Sequence, residues 1–243
     1  MQTLGIIGGV SWYSTAEYYR RINQKITQVL GLPHSARLMI ATVDFADLLL
    51  WQKDSSMHLL REAFLAEGCK LKSAGCEAFI IASHTLSWLG TIIESDIGIK
   101  HISLYDAVFQ KLKSLDAQRV GLTGTRYTMK DYRFRELYEK AGFEVCIPRE
   151  PHQQRTAHIV YKELVHGVFL QESKLAFGAC FDDLEEQKVD AIVLGCTEIG
   201  LLVRESEWPA RHSQNKSAVP LVDLIEAHVN AAVSWMLRAK SIE

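Results

Sequence analysis

The chain has 243 residues, 48% of them hydrophobic and 23% charged, and its 27 basic and 29 acidic side chains leave a net charge of −2. Such a length holds one large domain or two compact ones, each with a core of ordinary size. The balance excludes disorder, collagen and coiled coil, and it offers no basic field for nucleic acid or anionic lipid.

The apolar run Leu4–Ile7 predicts a buried strand, Thr15–Val29 an amphipathic helix, Arg37–Val43 a second buried strand and Met57–Ser73 a second helix. Ala78–Ile81 and His101–Leu104 follow as buried strands, then Arg119–Thr123. Lys130–Ala141 predicts a helix, Phe143–Cys146 a strand, and Ile159–Val165 and Leu175–Gln187 two further helices. Ala191–Leu194 and Val219–Val222 complete the strands, and Leu224–Arg238 is the last helix. Strands separated by helices imply right-handed βαβ units and parallel sheets, hence an α/β fold.

An internal repeat runs through these elements. Gly5-Ile6-Ile7-Gly8-Gly9 matches Gly121-Leu122-Thr123-Gly124-Thr125 at an offset of 116. Cys76–Ser83 matches Val189–Cys196 at 113, and Leu104-Tyr105-Asp106 matches Leu221-Val222-Asp223 at 117. The expected organisation is two similar α/β halves, 1–113 and 114–222, with the terminal segment 224–243 free to complete the first half or to pack on either. Ligands of open α/β sheets sit at the C-terminal strand ends. With the halves facing one another, the matched Ser83 and Cys196 would line opposite walls of one cleft.

Five cysteines, Cys69, Cys76, Cys146, Cys180 and Cys196, form no CxxC pair, against both a disulfide framework and a zinc site and for a reducing compartment. The first residues carry no basic leader region, and no run reaches the ~18 apolar residues of a membrane span, so a cytoplasmic chain is expected. Cys196 stands among the turn-forming Thr197, Glu198 and Gly200. A strand end facing a helix N-terminus would lower its pKa and make it the most reactive of the five thiols. The other four read as structural thiols in element bodies. Ser83 needs an activating neighbour, and His84 is next in sequence. The loops Gly8–Thr15 and Gly124–Met129 put amides and hydroxyls at strand–helix junctions, suited to binding a carboxylate or to plain capping by Ser14 and Thr128. GxGxxG, P-loop, HExxH and GxSxG patterns are missing, so no dinucleotide, ATP or metal site is expected.

Gly5–Thr15 with Tyr18-Tyr19, Thr42-Val43-Asp44-Phe45, Gly124–Met129, Glu163-Leu164 with Gly167, and Leu194-Gly195-Cys196-Thr197-Glu198-Ile199 together resemble the aspartate/glutamate racemase family. The resemblance covers essentially the whole chain. It implies two pseudo-symmetric parallel-sheet α/β domains with the active site in the cleft between them, commonly as a homodimer. It also implies racemisation of an amino acid or dicarboxylate without pyridoxal phosphate or metal, two cysteines flanking the substrate Cα. Cys196 stands at the second of these positions, while Ser83 replaces the first. Ser11, Gln52, Thr85, Thr125 and Thr197 fall at substrate-contact positions, and His84 takes the place of a usual Asn. Single-thiol relatives of this fold include racemases with a hydroxyl opposite the cysteine and decarboxylases. The leading expectation is a cofactor-independent racemase with Cys196 as principal acid/base and Ser83 on the other face. A one-cysteine isomerase or decarboxylase, and a binder without turnover, are the alternatives.

Overall fold

The computed structural model of the protein describes residues 1–54, 56–204 and 218–238. Two compact units emerge, Met1–Ala107 with the chain from His228 onward, and Val108–Ala227. The division falls inside a helix rather than after residue 113.

In the first unit the elements run β1 (Leu4–Gly8), α1 (Trp12–Leu30), β2 (Leu38–Thr42), α2 (Phe45–Lys53), α3 (Met57–Ser73), β3 (Ala78–Ile81), α4 (Leu89–Ile97), β4 (Lys100–His101) and α5 (Leu104–Ser114), which crosses the division. Strands pair in parallel in the order β2-β1-β3-β4. The central β1 and β3 are buried throughout, as parallel strands covered on both faces must be. Ile7, Phe79 and Ile81 meet Phe64 of α3 and Ile93 of α4 in one core.

The second unit repeats this plan with β5 (Arg119–Thr123), α6 (Arg126–Lys130), α7 (Tyr132–Lys140), β6 (Glu144–Cys146), α8 (Glu150–Lys162), α9 (Gln171–Glu186), β7 (Ala191–Leu194), α10 (Ile199–Leu202), β8 (Leu221–Asp223) and α11 (Leu224–Leu237). The sheet order is β6-β5-β7-β8, again all parallel. Phe177, Phe181 and Leu184 of α9 pack on Ile192 and Leu194. From His228 onward α11 belongs to the first unit, where the Gln2 amide N–H donates to Met236 O at 2.9 Å. Positions 239–243 of the expected terminal segment lie outside the described residues.

Sheet register tests the repeat residue by residue. Gly5 lies opposite Phe79 and Gly121 opposite Ile192, so the first two sequence matches hold. The third is displaced. His101 pairs with Phe79 as Leu221 pairs with Ile192, which makes His101, not Leu104, the partner of Leu221. Ser103 and Asp223 then become equivalent, and both do the same work: their side chains accept the Asp106 and Ile225 amides at the starts of α5 and α11.

Other expectations also shift. The strand over His101–Leu104 is only Lys100–His101, because Leu104 opens α5. The strand at 37–43 is not buried: Met39 and Ile40 of β2 are 43% and 44% exposed, since β2 sits at the sheet edge with β1 as its one partner in the sheet. The single helix expected over Lys130–Ala141 breaks at Asp131, whose carboxylate accepts the Arg133 amide at 3.0 Å and starts α7 afresh. Pro151 in the first turn of α8 starts that helix nine residues before Ile159.

Candidate active site

Both sheets end their first and third strands in loops built alike. The Ala82 amide donates to Ile7 O at 2.9 Å, and the Gly195 amide to Thr123 O at 3.0 Å, so each third strand is tied to the first just before its polar residue. The close approach leaves no room at Gly195, where a Cβ would strike Thr123 O. Ser83 and Cys196 come next, in equivalent places.

In the first unit Ser11, in the β1–α1 loop, and Ser83, His84 and Thr85, in the β3–α4 segment, lie at the ends of adjacent strands. Ser83 is 4% exposed; its Oγ bonds Thr85 Oγ1 at 3.5 Å and accepts the Leu86 amide at 3.4 Å. The His84 ring lies against Tyr105 instead, 5.5 Å between centroids, and Tyr105 Oη donates to His84 O at 2.9 Å. Activation of Ser83 by His84 therefore has no hydrogen bond behind it. Gln52 is exposed in the last turn of α2.

Ser11 departs from the capping expected at the first loop. It, not Ser14, occupies the N-cap of α1, yet its side chain makes no capping bond. Its φ of 68° is in the left-handed region, and its buried Oγ has no hydrogen-bond partner among the described residues. Such strain costs about 1–3 kcal/mol and is kept where the surroundings impose it, often at binding sites. A buried hydroxyl without a partner is equally unusual. Ser11→Gly is expected to raise the thermal midpoint by a few degrees, because glycine accepts this backbone without strain. The same change should raise KM if the hydroxyl meets substrate. A lowered midpoint in melting experiments would refute the strain.

In the second unit Thr125, Cys196 and Thr197 gather at the ends of the neighbouring β5 and β7. Thr125, not Thr128, caps α6, its Oγ1 accepting the Thr128 amide at 3.0 Å. Cys196 Sγ donates to Glu198 Oε2 at 2.9 Å, and Thr197 Oγ1 donates to the same oxygen at 2.9 Å. Glu198 is 3% exposed. Its role escaped the sequence reading, although its spacing of two from Cys196 on a turn was the available signal.

This surrounding reverses the expected pKa. Burial, and then the Glu198 carboxylate, push the Cys196 thiol well above its ordinary value. The helix meant to lower it, α10, is a single turn with Glu198 at its N-cap. Cys69, grouped with the structural thiols, is exposed on α3, whereas Cys76, Cys146 and Cys180 are buried. Limiting iodoacetamide at neutral pH should consequently label Cys69 ahead of Cys196, as peptide mapping would read; Cys196 labelled first would contradict the raised pKa. Among the described residues no His, Cys, Asp or Glu cluster is grouped as metal ligands are, and no helix is long and apolar enough to cross a membrane.

Two α/β units of one strand order, each presenting a hydroxyl or thiol at the end of its third strand, define the structural class. The family profile of the Asp/Glu/hydantoin racemases matches residues 7–232, and the chain belongs to that family. It is similar to a Yersinia pestis protein solved as a candidate Asp/Glu racemase, with 33% identity, a TM-score of 0.86 and coverage of 98% of this chain and 100% of that one. An aspartate racemase homologue from Pyrococcus horikoshii is 22% identical with a TM-score of 0.81, covering 98% and 100%. Arylmalonate decarboxylase shares the fold at 17% identity and a TM-score of 0.57, covering 99% and 95%.

Proposed function

We propose that the chain is a cofactor-independent racemase of aspartate, glutamate or another amino acid. Cys196 is its principal acid/base and Ser83 serves the opposite face of the substrate Cα. The observation that carries this reading is the equivalence of Ser83 and Cys196 at the third strand end of two sheets with the same order. A racemase needs a proton-transferring group on each face of one carbon, and a duplicated βα unit supplies two such groups. Ser11, with its buried and unpartnered hydroxyl, is the best-supported substrate contact. Gln52, His84, Thr85, Thr125 and Thr197 complete the proposed set, around an amino-acid or dicarboxylate ligand, in a cytoplasmic homodimer needing neither pyridoxal phosphate nor metal.

The test is Cα deuterium incorporation from L- and D-amino acids in deuterium oxide by the purified, reduced protein. Exchange that disappears in Cys196→Ala supports the reading; binding without exchange points to a ligand-binding protein. One observation favours a second reaction. A single thiol with no thiol opposite suits protonation of an intermediate from one face, and the fold likeness extends to arylmalonate decarboxylase. Carbon dioxide release from malonate-type acids, without Cα exchange of amino acids, would select it.

A further inference from the structure

The two third-strand ends share a side-chain contact between a residue and its second neighbour. In the first unit Ser83 Oγ meets Thr85 Oγ1 at 3.5 Å. In the second, Cys196 Sγ donates to Glu198 Oε2 at 2.9 Å. The offset of 113 that relates Phe79 to Ile192 also relates Ser83 to Cys196 and Thr85 to Glu198. The same geometric slot therefore holds a neutral hydroxyl in one unit and a carboxylate in the other.

A carboxylate there is costly unless it is used. Glu198 is buried, and a buried charge is retained only with hydrogen-bond donors around it. Thr197 supplies one such donor, at 2.9 Å, on the oxygen that also accepts from Cys196. Asp223, the other carboxylate by this strand end, lies against Gly200, and its Oδ1 accepts the Ile225 and Glu226 amides at 2.8 and 3.3 Å. Glu198 is the carboxylate in hydrogen-bond contact with the thiol.

We propose that Glu198 is the positioning residue of Cys196 and the acceptor of its proton. This rests on reading Cys196 as the acid/base of the reaction. In the step the Sγ–H bond breaks and its electron pair stays on sulfur, while the proton forms a bond to Glu198 Oε2. The pair carries one negative charge before and after, so a thiolate arises without placing a second charge in the buried site. Burial and the carboxylate hold the thiol protonated at rest, and the carboxylate offers the short exit for that proton. Among the described residues Ser83, with Thr85 in the corresponding slot, has no such carboxylate acceptor. The two faces are thereby unequal by construction, and proton removal from Cα is faster in the direction that begins on the thiol face.

The experiment reads the pair without relying on turnover. Thiolate absorbance at 240 nm is titrated in the wild type and in Cys196→Ala, and their difference isolates Cys196. The same difference is taken in Glu198→Gln and Glu198→Asp backgrounds. Loss of the negative charge in Glu198→Gln should lower the Cys196 midpoint by about one pH unit or more. Cα exchange by that variant should fall about 100-fold with KM nearly unchanged, since the residue acts through the thiol and not on the substrate. Glu198→Asp, with its carboxylate drawn back, should lie between the two in midpoint and in rate. If Glu198→Gln does not fold, Glu198→Asp alone decides by the same two readouts. An unmoved midpoint, or wild-type exchange in Glu198→Gln, overturns the proposal. Failure of the racemase reading looks different: the wild type exchanges no amino-acid Cα proton, while the titration still reports whether Glu198 governs the thiol.

Discussion

Ser83→Cys is expected to accelerate Cα exchange by tenfold or more in the direction that begins on the Ser83 face, and little in the other. An alcohol is a poor proton acceptor near neutral pH, whereas a thiol titrates near 8.5 and a placed acid/base group contributes about 10²–10⁴-fold. The introduced sulfur would enter a site whose polar partners are Thr85 and the Leu86 amide. Its pKa would be raised by burial alone, without the carboxylate that opposes ionisation of Cys196. Initial rates of deuterium exchange from L and from D substrate, measured separately, check this. Equal rates for wild type and variant in both directions, in a folded protein, would remove Ser83 from the mechanism. The equilibrium between enantiomers is unaffected either way.

The parts of the fold visible in the sequence were those with a single cause. β3 and β7 match their apolar runs because strands buried on both faces must be apolar at every position. Letters misled where two causes overlap. Leu104-Tyr105-Asp106 resembles Leu221-Val222-Asp223, yet one begins a helix and the other ends a strand, and only the register with Phe79 and Ile192 separates them. Helices α2 and α4 gave no expectation, since Phe45–Lys53 and Leu89–Ile97 have only nine residues each, too few for the helix period to stand out. The strand-end positions of Ser83 and Cys196 were legible from the repeat. The high pKa of Cys196 was not, because it depends on which way the Glu198 side chain turns.

The first unit should lose stability steeply as pH falls from about 6.5 toward 4, because two of its histidines are held neutral. His228 is fully buried; its Nε2 lies 2.8 Å from Ile102 O and its Nδ1 2.9 Å from Tyr18 Oη. A carbonyl only accepts, so Nε2 carries the proton and Nδ1 accepts from the tyrosine. Burial pushes the His228 pKa down to about 4, the Ile102 carbonyl pulling weakly the other way. His101, packed on Phe79 with Gly90 against its ring, is pushed down to about 3 by burial, then by His228 and Lys100. Unfolded, both would titrate near 6.5. Above that pH neither state binds the protons and the full stability is present. Below it the unfolded chain takes up protons that the fold refuses, costing about 1.4 kcal/mol per pH unit for each histidine. The loss continues until His228 itself protonates near 4. Over such a span the penalty reaches several kcal/mol, a large share of the ~5–15 kcal/mol that holds a domain together. His228→Gln keeps a donor for Ile102 O and an acceptor for Tyr18 but removes one titration, and it should cut this acid slope by about half. Urea midpoints at pH 7 and pH 5 provide the measurement, followed by tryptophan fluorescence, since four of the five tryptophans, Trp12, Trp51, Trp88 and Trp235, belong to the first unit. Wild type and His228→Gln losing the same stability between the two pH values would mean that His228 is not held neutral.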